Sequence, residues 1–139
     1  MLPLAADYFI FVFISAIGAI QVGASYGKLR GILFSPSIII SRFVGFLLVL
    51  IGIIWFYASK HRNINDIEGG IDANDQALWF FLGVTAAVIF TFLITSISQK
   101  KLSAKSQIDL ELGIENLKHS TYFFVIKNNN IIRTKNWWK

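Results

Sequence analysis

Three apolar runs, Tyr8–Ala24, Ile38–Ala58 and Ala77–Ile97, limit what this chain can become. Each has roughly the 17–25 residues that cross the hydrocarbon core of a bilayer. A helix buried in a soluble core is usually shorter, and its sequence alternates with polar faces. Composition agrees. Only 15% of residues are charged and the mean hydropathy is +0.59, whereas soluble domains carry about 25% charged residues. The sequence predicts an all-α integral membrane protein. Its transmembrane domain is residues 1–98, with three transmembrane helices at about 8–26, 36–58 and 76–98. A small polar C-terminal tail, residues 99–139, follows and is basic.

The chemistry-bearing residues are few. There is no cysteine, which excludes disulfides, thiolate zinc sites and thiol nucleophiles. The histidines, His61 and His119, lie far apart in sequence. No HExxH, GxSxG, Walker or GxGxxG pattern occurs, and no internal repeat. A membrane enzyme would need a nucleophile or a metal cluster, so no catalytic, cofactor or metal residue is expected.

Basic residues flanking short loops set orientation. None precedes the first run. Lys28 and Arg30 lie between the first and second runs, and Arg42 near the start of the second. Lys60 and Arg62 lie between the second and third, among four acids. From Gln99 onward there are eight basic and three acidic residues. The bias predicts an N-terminus outside a plasma or inner membrane and a cytoplasmic tail. Val22-Gly23-Ala24 has the small residues of a leader-cleavage site, but "MLPLAAD" lacks the usual positive charge. Cleavage there would also place the basic tail outside. The first run is therefore read as a helix.

Small residues at helical spacing predict close helix contacts, because lipid gives helices no hydrophobic drive to associate. One such stripe is Ser15, Ala19, Gly23 and Gly27; another is Gly83, Ala87, Thr91 and Thr95. Gln21 lies off the first stripe, and its amide is expected to face protein or headgroups. "SPS" at 35–37 predicts Ser35 as N-cap and Pro36 as the first helical residue of the second span. Arg42, in the second turn, is read as an anchor whose stem snorkels to the headgroups. Trp55, Tyr57 and Trp79 mark the outer interface.

The acidic connection holds Asp66, Glu68, Asp72 and Asp75 around Gly69-Gly70. Started at Asp66, an EF-hand would need glycine where Ile71 stands. Asp72 and Asp75 are instead expected to serve the N-terminus of the third helix. The four acids together form a candidate partner surface.

In the tail, "STYFFVIK", "NNN" and "IIRTKNWW" predict a β-hairpin about an asparagine turn. Lys100, Lys101, Lys105, Trp137 and Trp138 are candidate lipid-surface residues, suited to an anionic leaflet. The same mixture stacks on single-stranded nucleic acid, but a tethered tail has anionic lipid beside it, so no nucleic-acid partner is expected. The functional expectation is an accessory subunit or adaptor without its own catalysis. It would meet the lipid bilayer and another membrane protein or a second copy. The alternative is a protomer of an oligomeric transporter or channel, which the scarcity of ionisable groups in the spans disfavours.

Overall fold

A computed structural model describes residues 4–58, 73–99 and 110–127. Three long helices dominate it: α1, Leu4–Tyr26; α2, Ile38–Ala58; and α3, Ala73–Ser98. All three are long and apolar enough to cross a membrane. A 3-10 turn, Arg30–Ile32, lies between α1 and α2, and a 3-10 helix, Leu110–Lys118, begins the described part of the tail. α2 is rich in isoleucine and valine, which are indifferent helix formers in water. In hydrocarbon the helix is favoured for another reason: it satisfies every backbone N–H and C=O within the segment.

α1 is the middle helix. It packs on both α2 and α3, which barely touch each other. The α1–α2 seam centres on two glycines. A Cβ on Gly18 would lie 2.6 Å from the Gly45 carbonyl oxygen, and one on Gly45 would lie 2.8 Å from that of Gly18. Seven residues along α2, Gly52 receives the Ser15 hydroxyl. Towards the end opposite the α1–α2 connection, Phe11 and Phe56 continue the seam, with ring centroids 4.9 Å apart. The α1–α3 seam is built differently. Val12 fits against Gly83, between the Phe9–Trp79 and Phe13–Phe90 edge contacts.

The predicted stripe on α3 is buried along its length, at Gly83, Ala87, Thr91 and Thr95. The stripe on α1 requires correction. Ser15 meets α2, but Ala19, Gly23 and Gly27 are exposed, and a Cβ on Gly23 would touch nothing within 4 Å. The face that meets α2 runs Phe11, Ser15, Gly18, Val22 and Ser25, in alternating steps of four and three. Its counterpart on α2 is Gly45, Val49, Gly52 and Phe56, in the same steps. That is the 3.5-residue period of left-handed helix pairs. A stripe of uniform four-residue steps drifts off such a seam within two turns.

Gly27 has a different role. Lys28 adopts a left-handed conformation, φ 55°. The Leu29 N–H donates to the Ala24 carbonyl at 2.9 Å, and the Lys28 N–H to that of Ser25 at 3.4 Å. This is a Schellman stop, with Gly27 as the C-cap and Lys28 at the position glycine usually fills. A non-glycine residue there costs about 1 kcal/mol. The reward is a sharp reversal that tucks Leu29 back onto the core beside Ala24.

α2 also starts later than expected. Ser35 and Pro36 stay outside the helix, and Ser37 accepts the first helical bond, from the Ser41 N–H at 3.1 Å. The Ser41 hydroxyl holds Ser35 back by binding both its N–H and its carbonyl. The tail is corrected too. No strand occurs among the described residues, and 122–127, placed in the first strand of the predicted hairpin, are helical. Tyr122 stacks on Phe92 of α3 at 4.1 Å and 9°, and Val125 packs on the same apolar cluster. Docking on a preformed surface favours compact turns over a two-stranded hairpin, which is marginal alone. The remainder of the predicted hairpin lies outside the described residues.

Candidate functional site at the loop end

Among the described residues, most of the buried polar side chains lie at the end of the bundle that carries the α1–α2 connection, here the loop end. Gln21, fully buried on α1, donates from Nε2 to the Ile32 carbonyl at 3.0 Å. Its Oε1 accepts the Phe34 N–H at 2.9 Å. Just past the end of α3, the Gln99 side-chain amide donates to the Leu33 carbonyl. Three consecutive residues of the connection are thus tied by two glutamines, one on α1 and one at the end of α3. Between them Leu33 is fully buried, packed with Ala24, Ile32 and Leu117. Of the two expectations for Gln21, protein or headgroups, burial favours the first, and its partner is the backbone of the adjoining loop.

The tail closes this arrangement from below. At Gly31 a Cβ would overlap the Ser120 backbone, so only glycine lets the two segments touch. Ser120 itself is buried and its hydroxyl donates to the Asn116 carbonyl at 2.7 Å. The result is a small folded platform made of the connection, the 3-10 helix Leu110–Lys118 and residues 122–127. Its outer surface carries Ile114, Phe123 and Ile126, all exposed. On the same 3-10 helix, Lys118 Nζ donates to Glu115 at 2.7 Å. That hydrogen bond, and the lysine charge behind it, holds the Glu115 carboxyl below its ordinary value. The stabilisation is present above the ordinary carboxylate range and is lost as pH falls. The pair is exposed, so its effect is small.

Arg42 stands at the rim of this platform. Its Nε donates to the Ser25 hydroxyl at 3.2 Å, and its guanidinium lies 4.0 Å over the Tyr26 ring. Ser25 is buried and its hydroxyl donates in turn to the Val22 carbonyl at 2.7 Å. At the opposite end, sequence reasoning missed Asp7. It sits in the first turn of α1 and is only 3% exposed. Its position at the edge of an apolar run gave no signal of burial.

The other expected sites separate into described and undescribed. Asp75 is exposed in the first turn of α3, where the helix dipole favours it. Asp66, Glu68 and Asp72 lie outside the described residues, as do Lys100, Lys101, Lys105, Trp137 and Trp138. Among the described residues no three His, Cys, Asp or Glu side chains come together. Comparison with protein-family models, curated proteins and solved structures finds no match for this chain.

Proposed function

We propose that this chain is an integral membrane accessory subunit or adaptor: a three-helix anchor that holds a folded basic platform on the cytoplasmic face. One observation carries the reading. Three buried polar side chains at the loop end, Gln21, Gln99 and Ser41, are turned onto backbone of the connection. A solute or ion pathway places such groups toward a cavity. Here they fix the shape of a surface. Long apolar faces on α2 and α3, from Phe43, Leu47 and Ile54 to Phe81 and Ile89, remain exposed. In this reading lipid covers part of them and a different membrane protein covers the rest.

The platform suits a bilayer surface. Phe92 lies six residues before the end of α3, so its stack with Tyr122 sets that ring about 9 Å along the helix. Amphipathic segments bury their apolar face about 5–10 Å into the headgroup boundary. Ile114, Phe123 and Ile126 would provide that face, and Lys127 an attraction to anionic lipid.

Purification in mild detergent tests the role. A different membrane protein in fixed stoichiometry is the expected result. A homo-oligomer of this chain alone would replace the adaptor with a pore protomer. Orientation has its own test. A cysteine at Asn74, exposed at the start of α3, should react with an impermeant thiol reagent on intact cells. One at Ser106 should not, and the reverse pattern would invert the topology.

A further inference from the structure

We infer that Arg42 forms a binding site for the phosphate of an anionic phospholipid headgroup, using a guanidinium that the fold holds ready and that no carboxylate among the described residues neutralises. The inference rests on the membrane-spanning arrangement and not on the adaptor role, so either can fail alone.

Arg42 is the fifth residue of α2, about 6 Å along the helix from its start. A charge there is costly in hydrocarbon unless it is paired or reaches the interface. The protein supplies only part of what it needs. The Nε–H is satisfied by Ser25, and one face of the guanidinium lies on Tyr26. No carboxylate pairs with it among the described residues. The arrangement therefore uses the donor nearest the stem and one π-face, and leaves the terminal Nη donors for another acceptor. Those are the donors that grip a phosphate in two parallel bonds.

A freely snorkelling side chain would be held differently. It would have no buried partner, and lysine would serve as well. Here the orientation is built from inside. Ser25 is 1% exposed and is itself fixed by its bond to the Val22 carbonyl. Ser25 and Tyr26 are the last two residues of α1, just before the Schellman stop. The α1 terminus thus positions the α2 arginine, and the site lies where the two helices meet at the loop end. The ligand chemistry is a phosphate oxygen pair at headgroup depth. Phosphatidylglycerol supplies it without the choline ammonium that offsets the same phosphate in phosphatidylcholine, together with acyl chains for the exposed α2 face at Phe43 and Ile39.

Native mass spectrometry of the full chain in detergent, with equimolar phosphatidylglycerol and phosphatidylcholine added, tests this. The wild type should retain phosphatidylglycerol preferentially. R42A and R42K should each lose that preference by about fivefold or more, the loss of one charge contact near a lipid surface or its fork. S25A should weaken it less, because the guanidinium stays but is no longer aimed. R30A, which alters an exposed arginine on the same loop, should retain it. Wild-type preference in R42A, or a loss in R30A equal to that in R42A, would overturn the site and leave general surface charge. Full selectivity in R42K would reduce Arg42 to a point charge. Displacement of bound lipid by millimolar inorganic phosphate would assign the site to a soluble anion instead of a lipid.

Discussion

Gly45→Val should pull α1 away from α2 and destabilise the protein by about 3 kcal/mol or more. The first added carbon would meet the Gly18 carbonyl oxygen and the Val22 Cγ2, each at 2.8 Å. A backbone oxygen in the middle of a helix cannot rotate aside, so the helices themselves must separate. Overpacking of a well-fitted seam typically costs about 1–3 kcal/mol, occasionally more. Here the shift also breaks contacts along the same seam, at Gly52–Ser15 and Phe11–Phe56. Close packing is what holds helices together in lipid, with no hydrophobic term to compensate. Unfolding in mixed detergent micelles measures the loss. Gly23→Leu is the contrast, because its side chain enters open space. Its effect on the folding of one chain should stay within about 0.5 kcal/mol. Equal losses in the two variants would mean that α1 uses the other face.

That contrast also shows which information the sequence carried. The three spans were legible because hydrocarbon thickness imposes a length and excludes charge, and both can be read one residue at a time. The α3 stripe could be read because four glycine, alanine and threonine residues in uniform steps leave one face small. The α1–α2 seam was harder. It mixes Phe11 and Val22 with Ser15 and Gly18, so size does not mark it. It becomes visible only when the four-and-three steps of both helices are set side by side. The roles of Gln21 and Gln99 depend on a loop that returns beneath the helices. Nothing local in "QVGAS" or "ISQKK" signals the carbonyls they meet. The tail misled for a related reason: "TYFFVI" has the composition of a strand, yet its docking partner, Phe92, lies far away in sequence.

Gln21→Leu should unfasten the platform while leaving the three helices in place. Leucine nearly matches glutamine in size, so the seam changes little. Two backbone groups lose their partners, the Ile32 carbonyl and the Phe34 N–H. A buried polar group left unsatisfied costs about 1–3 kcal/mol, so the pair is worth about 2–6 kcal/mol if the loop stays closed. The loop has a cheaper course, which is to move its backbone out to water. Leu33 would then leave its fully buried place between Ala24 and Leu117. The tail would lose the surface on which Gly31 receives Ser120. Amide exchange should report this sequence of events. In the wild type, the amide of Phe34 should exchange slowly, held by Gln21. In Gln21→Leu it should exchange at least tenfold faster, a factor that corresponds to about 1.4 kcal/mol. Amides within α2 should remain as protected as before. Gln99→Leu should produce a weaker form of the same change, because it frees one carbonyl instead of two groups. Unchanged exchange at Phe34 in Gln21→Leu would show that the platform is held by its apolar cluster alone. The glutamines would then not be what fixes that surface, and the adaptor reading would lose its support.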